Sequence, residues 1–308
     1  MRYVVRAGAL ALGIACSGGS AAADVLYELV ARTWDSLVRG TVELEERVTI
    51  SVKGDRMRQE AEGARTVVTR RGARYQKPGH RVTLEQPDRD LRYEVNLDAG
   101  TYAEESYSAV RRDQEEALAA AEKALGVKTA AASPSLSISA ERTGERQQVH
   151  GRECERVILK GSTEVALART RGGGPTEATP SRHAMTFELC VAPDTAGSRE
   201  LRAVEERVAT LMGERGALLE RQLRIFAHRR DLLAVFELMH RLMEQEQQRL
   251  GGVALRWERL FVGPRRDQPQ ATLFRHRGEV TRIEHSVLPS EVFELPSGLT
   301  LDTRRAAR

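Results

Sequence analysis

The feature that most constrains the fold is a regular alternation of apolar and polar side chains in the first half of the chain. From Val42 to Val52 the even positions are apolar except for Glu46, and the odd positions are polar or charged. A period of two places successive side chains on opposite faces of an extended chain. This segment therefore predicts a long β-strand with one dry face and one wet face, as in an antiparallel sheet covered on one side.

The same alternation recurs in later segments and predicts further strands. These segments are residues 81–85, 91–97, 101–107, 185–191 and 253–257. Near the end of the chain, Arg277-Gly278 separates two more alternating segments, residues 271–276 and 280–287. Because glycine punctuates short alternating runs at turns, we expect a β-hairpin there.

Two stretches have helical character and interrupt the strands. Residues 108–126 are rich in Ala and Glu, which favour helix. Residues 198–250 carry apolar side chains at helical spacing, beginning with Leu201, Val204 and Val208. The predicted class is α+β, with a single domain over residues 24–308.

The first 23 residues have the composition of a secretory signal. Arg2 and Arg6 precede a short apolar run, residues 7–15, and no acidic residue occurs before Asp24. Small residues at 21–23 then offer a cleavage site that ends at Ala23. We expect cleavage after Ala23 and release into the periplasm of a Gram-negative-type bacterium. The alternative is acylation of Cys16, which would tether the domain to a membrane; otherwise no membrane contact is expected.

Two cysteines, Cys154 and Cys190, remain after residues 1–23 are removed. In an oxidising compartment two thiols in strand-like segments are interpreted first as a disulfide. The alternative is a pair of buried, unpaired thiols.

The sequence contains no motif that indicates a reaction. The seven histidines show no metal-ligand spacing, and no nucleophile elbow or phosphate-binding loop is present. The net charge of +4 falls to +2 without Arg2 and Arg6 (4 − 2), and the remaining basic residues are interspersed with acidic ones. We expect no catalytic residue, no metal, no cofactor and no nucleic-acid partner.

Several segments, in order, resemble a family of bacterial envelope proteins known as a domain of unknown function. That family is related to the outer-membrane lipoprotein carrier and receptor proteins, LolA and LolB. The matching segments are Val52–Glu60, Leu91–Glu104, Glu141–Glu145, Val149–Cys154, Phe187–Asp194 and Pro289–Gly298. Cys190 stands where the family pattern has tryptophan, a departure that agrees with a bridge to Cys154.

The resemblance implies a curled antiparallel β-sheet, a half-barrel, with helices covering its concave face. The stretch 213–250 exceeds the family pattern and is expected to be a helical insertion or a lid. The related carriers hold acyl chains in the hollow of the half-barrel.

The leading hypothesis is a non-enzymatic periplasmic protein that binds an acyl chain, a lipid or another apolar ligand. The candidate lining residues are Val48, Ile50, Leu91, Tyr93, Val95, Phe187 and Leu189. The same side chains could instead fill a solid core. The alternative function is an envelope protein-interaction or stress-sensing module that binds a protein partner and no small ligand.

Overall fold

The alternating segments pair side by side into one open sheet. A computed structural model describes residues 24–36, 40–69, 71–125, 136–167, 179–212, 230–265 and 268–303. Within these residues the chain forms twelve strands and three helices. The strands are β1 (Val25–Asp35), β2 (Gly40–Lys53), β3 (Arg56–Thr69), β4 (Arg74–Gln86), β5 (Leu91–Asn96), β6 (Thr101–Ser106), β7 (Leu136–Val149), β8 (Arg152–Leu167), β9 (Thr179–Ala192), β10 (Val253–Arg265), β11 (Gln268–His285) and β12 (Thr300–Leu301). The helices are α1 (Tyr107–Leu125), α2 (Ala196–Met212) and α3 (Arg230–Leu250).

The order of the strands across the sheet is β12-β6-β5-β4-β3-β2-β1-β11-β10-β9-β8-β7. Strands β1 to β6 form a meander toward one edge, and β7, which follows α1, begins a second meander at the other edge. This second meander returns to the centre, where β11 pairs with β1. The described ladders are antiparallel except the one between β12 and β6. The α+β class is thus confirmed, whereas the sheet is mixed at one edge and not purely antiparallel.

Cross-strand register defines the two faces of the sheet. Tyr27 of β1 pairs with Ile50 of β2, and Leu29 pairs with Val48, so these four side chains share one face. Helix α2 packs on this face, where its Leu201 belongs to the same buried cluster. We call it the helix-bearing face and the other side the opposite face.

Helix α3 covers the same helix-bearing face farther along the sheet. Its Phe236 and Met239 cluster with Phe187 of β9. Cross-strand register shows that this is the same face as on β1. Phe187 pairs with Arg259, Arg259 with His276, and His276 with Thr33. The helices α2 and α3 therefore cover neighbouring parts of one surface.

The helices lie in or beside the stretches predicted to be helical. Helix α2 begins with a reciprocal cap, because Thr195 Oγ1 accepts from Ser198 N at 3.1 Å and Ser198 Oγ accepts from Thr195 N at 2.9 Å. Helix α3 ends at Gly251, whose φ of 67° suits glycine. The predicted insertion or lid begins in residues 213–229, which lie outside the described residues.

The hairpin predicted around Arg277-Gly278 is wrong, because β11 runs unbroken through both residues. Glycine is needed there for space. A Cβ on Gly278 would lie 2.3 Å from Cζ2 of Trp257 on the neighbouring strand β10. The glycine thus marks a close approach of a ring to the backbone and not a turn.

A C-terminal segment, residues 286–299, crosses the opposite face, and we call it the strap. Its start is held by Leu288 N, which donates to Asp24 Oδ2 at 2.8 Å. Farther on, Gln86 Nε2 donates to the buried carbonyl of Phe293 at 2.9 Å. Leu295 and Leu299 then pack over Val82, Leu84 and Val95 of β4 and β5.

The disulfide between Cys154 and Cys190 is confirmed. It joins neighbouring strands β8 and β9, with the two Cα atoms 5.3 Å apart. Both residues are buried beside the α2 cluster. The bridge closes a loop across 36 positions of sequence and ties together β8 and β9, the two strands that precede α2.

Among the described residues, no helix is long and apolar enough to cross a membrane. The predicted leader, residues 1–23, and the candidate acylation site Cys16 lie outside the described part of the chain.

Candidate ligand-binding site

Four of the seven candidate lining residues lie on the helix-bearing face and are packed into its core. Val48 and Ile50 lie in the cluster under α2, and Phe187 and Leu189 lie in the cluster under α3. Each is at most 7% exposed. These side chains contact helices and neighbouring strands, so they contribute to stability and leave little surface for a ligand.

The other three candidates, Leu91, Tyr93 and Val95, lie on the opposite face. Glu94 pairs with Thr83, Thr83 with Gln59, and Gln59 with Ile50, so it is Glu94 that shares the face of Ile50. The strap packs on this side of β5. The seven candidates therefore do not line one surface, because alternation identifies a dry face without saying on which side of the sheet it lies.

The side chain at the centre of the helix-bearing face is Trp257. It packs against both the α2 cluster and the α3 cluster, yet it is only partly buried. Its ring centre lies 6.0 Å from that of His276, and the His276 and Phe274 ring centres are 6.5 Å apart. We call these three partly exposed rings, Trp257, Phe274 and His276, the aromatic floor.

Polar side chains from α3 and β10 border the aromatic floor. Arg259 Nη1 lies 3.3 Å from His240 Nε2 and 3.3 Å from Glu244 Oε1. The guanidinium carbon of Arg259 also lies 4.8 Å from the ring centre of Phe187. We call Arg259, His240 and Glu244 the polar wall.

The polar wall has a defined charge state at neutral pH. Since a guanidinium can only donate, the contact assigns the His240 proton to Nδ1, which is 3.5 Å from Glu244 Oε2. Burial lowers the pKa of His240, with Glu244 opposing. Burial alone would raise the pKa of Glu244. The opposing effects of His240 and, secondly, Arg259 are larger together, and they lower the pKa of Glu244 to about 2. The wall holds one carboxylate, one guanidinium and a neutral imidazole.

A second carboxyl group, Glu205 of α2, lies near the polar wall. It follows Leu201 by one turn and precedes Val208 by three residues, so it flanks the buried stripe of the helix. Its side chain reaches solvent. Desolvation by the surrounding protein and, secondly, the negative charge of Glu244 raise the pKa of Glu205 to about 7. Burial and Glu205 in turn raise the pKa of Tyr27, while Arg152 opposes them.

A depression of about 510 Å³ lies on the opposite face, between β2, β3 and the strap. It is lined by Thr49, Ser51, Arg58, Glu60, Pro289, Glu291 and Val292. Glu60 accepts from Arg58 Nη2 at 2.8 Å and lies 2.6 Å from His80 Nε2. Burial raises the pKa of Glu60, but these two partners together lower it. Arg58 and Glu60, which line this depression, are already paired with each other. We therefore place the candidate site on the helix-bearing face.

The described residues contain no group of three or more His, Cys, Asp or Glu that could hold a metal ion.

Sequence reasoning did not select Trp257, Glu205, His240 or Arg259 as site residues. A signal for one of them was present, because His240 falls at an apolar-stripe position of its helix and is buried. A polar residue at such a position faces the protein and needs a partner or a function. Which strand residues meet it depends on how the helices dock, and helical spacing does not specify this.

No protein-family model matches this chain, and no curated protein matches it.

Proposed function

We propose that this protein is an exported, non-enzymatic binding protein that holds an amphiphilic ligand on the aromatic floor. In this proposal the sheet curls into a half-barrel similar to that of the LolA and LolB carriers, and the helices cover its concave face. The protein works in the periplasm, free or tethered through Cys16. The disulfide between Cys154 and Cys190 is compatible with that compartment.

The observation that carries the proposal is the partial exposure of Trp257 on the face that bears the helices. Tryptophan is amphipathic and contributes large contact areas to ligand sites. Here its ring lies over Gly278 and between two filled clusters. An apolar ligand that covered this ring would gain about 0.8 kcal/mol for each methylene group removed from water.

The polar groups around the floor favour an amphiphile over a purely apolar molecule. Glu205 and the polar wall lie on the same side of the sheet as Trp257. Covering them with a hydrocarbon alone would remove their hydration without replacement. A ligand with an apolar chain and one polar end satisfies both surroundings.

The proposal is tested by following Trp257 fluorescence in a Trp34→Phe variant, in which Trp257 is the only tryptophan. Trp34 alternates with Thr33 on β1 and lies on the opposite face, so its replacement leaves the site intact. We expect a saturable emission change with at least one of decanol, decanoate and decylammonium, each below its micelle concentration.

The matched control is Trp257→Phe with Trp34 retained, in which these probes should leave the emission unchanged. If none of the three probes changes Trp257 emission in the folded protein, the proposed function is wrong.

A further inference from the structure

The hairpin formed by β3 and β4 departs from the interspersed charge pattern of the chain. Between Glu62 and Glu85 the sequence has six Lys or Arg residues and no acidic residue. Arg81 contacts Glu46, and Arg70 lies outside the described residues. The other four cations are exposed and form no ion pair with any described residue: Arg65, Arg71, Arg74 and Lys77.

Cross-strand register places two of these cations directly opposite each other. Arg65 of β3 pairs with Lys77 of β4, and the next pair toward the turn on the same face is Val67 with Tyr75. Like charges at directly opposed positions destabilise a strand pair. The ring of Tyr75 is also unusually open, because this residue is 63% exposed. The hairpin thus maintains a repulsive pair beside an exposed aromatic side chain, an arrangement that does not serve stability.

The adjoining part of β2 adds apolar surface to these cations. Val42 pairs with Val67, and Leu44 pairs with Arg65, so they lie on the same face as the repulsive pair. All of these apolar side chains are partly exposed. We call this group of neighbouring side chains the cationic corner, and its members are Val42, Leu44, Arg65, Val67, Tyr75 and Lys77.

The cationic corner lies on the helix-bearing face, in line with the aromatic floor. Leu44 is in phase with Val48 along β2, which places it on that face. Leu44 pairs with Thr33 of β1, and Thr33 pairs with His276 of the aromatic floor. Only β1 therefore separates the β2 part of the cationic corner from the strand that carries His276.

The composition of the cationic corner fits the surface of an anionic bilayer. Lysine and arginine are attracted to anionic lipid headgroups, and tyrosine is favoured where an apolar layer meets water. A nucleic acid would also complement the charge, but single strands bind along grooves with several aromatic rings for stacking. Tyr75 is the only Phe, Tyr or Trp between Glu62 and Glu85. The single ring and the apolar side chains favour a lipid surface.

We propose that the cationic corner docks the protein on a membrane surface rich in anionic lipid. Arg65 and Lys77 pair with lipid phosphates there, and Tyr75 lies at the interface. This contact does not need an acyl chain on Cys16. It goes beyond the proposed function, because it concerns a surface separate from the ring of Trp257.

The test is co-sedimentation with vesicles in a Cys16→Ser background, in which no acyl chain can contribute. One set of vesicles is phosphatidylcholine alone, and the other is an equal mixture of phosphatidylcholine and phosphatidylglycerol. We expect binding to the mixed vesicles and at least about tenfold weaker binding to phosphatidylcholine alone. Added salt should weaken the binding to mixed vesicles, because exposed charges are screened.

The double variant Arg65→Gln/Lys77→Gln should bind mixed vesicles about tenfold more weakly than its parent. Its thermal stability should be equal or higher, because the substitutions remove a repulsive pair. The matched control is Arg146→Gln/Arg249→Gln, which removes the same net charge from two exposed cations that have acidic partners. This control should keep the affinity of the parent.

The inference is overturned if the parent binds neither set of vesicles, if it binds both equally, or if Arg65→Gln/Lys77→Gln keeps the parent's affinity. Binding of a single-stranded oligonucleotide without binding of mixed vesicles would overturn it too, in favour of a nucleic-acid partner. Trp257→Phe should dock like the parent. Loss of docking and loss of ligand binding at the aromatic floor are therefore separate results.

Discussion

At the residue scale, the contact between Gly278 and Trp257 positions the aromatic floor. The indole ring lies directly over the backbone of β11, at a distance that leaves no space for a Cβ. This contact fixes the ring at the junction of the two buried clusters. The glycine therefore determines where the partly exposed Trp257 ring lies on the helix-bearing face.

Gly278→Ala should displace the Trp257 ring and destabilise the protein by about 2 kcal/mol, because an added methyl group has no room. Chemical denaturation and Trp257 emission in the Trp34→Phe background measure the two effects. Gly79→Ala is the matched control, since a Cβ there meets no atom within 4 Å. Equal stability of the two variants would contradict the contact.

Glu205 also affects stability, in a direction set by its raised pKa. In the unfolded chain its carboxyl group ionises near pH 4.5, whereas in the folded protein it ionises near pH 7. Between these values the unfolded state loses its proton first, so this residue reduces stability as the pH rises from about 4.5 to about 7.

Glu205→Gln should therefore stabilise the protein at pH about 8 and have no effect at pH about 4. We expect about 1 kcal/mol, reduced from the full shift because the side chain reaches water. Thermal unfolding at the two pH values measures the difference. A stabilisation of the same size at both pH values would mean that Glu205 acts through packing and not through its charge.

At the element scale, alternation predicted strands well but not their surroundings. The segment Val42–Val52 lies within one strand, and its even positions Val48, Ile50 and Val52 are buried, as predicted. The residues Leu91–Val95 also form a strand, yet their dry side lies under the strap. Which face a strand presents depends on partners distant in sequence, and alternation alone does not contain that information.

The strap should contribute substantially to stability because its central side chain, Phe293, is 1% exposed. Phe293→Ala should cost about 4 kcal/mol and increase hydrogen exchange in β4 and β5, which the strap covers. Val287→Ala, in the same segment but 93% exposed, is the control and should be neutral. A neutral Phe293→Ala would show that the strap does not stabilise the sheet.

At the scale of the whole molecule, the two meanders meet where β1 pairs with β11, residues separated by more than 200 positions in sequence. Neither this pairing nor the position of β7 at the far edge could be predicted from local patterns, because short-range periodicity does not encode long-range order. For the same reason Glu205, Arg259 and Trp257 were not recognised as one site. They come from α2 and β10, which the fold brings together.

The disulfide stabilises this architecture by restricting the unfolded chain. For a separation of 36 residues the chain-entropy model gives about 4 kcal/mol. Cys154→Ser should lower the free energy of unfolding by that order under oxidising conditions. In the presence of reductant, wild-type protein and variant should unfold alike. A loss that persists under reducing conditions would assign Cys154 a packing role instead.

We propose above that an amphiphilic ligand binds on the aromatic floor. Native mass spectrometry of the protein, purified without detergent, tests this binding most directly. We expect a population that carries a small amphiphile, and a smaller bound fraction in Trp257→Ala. Wild-type protein that is consistently free of ligand, and that remains free after incubation with decylammonium and decanol, would contradict it.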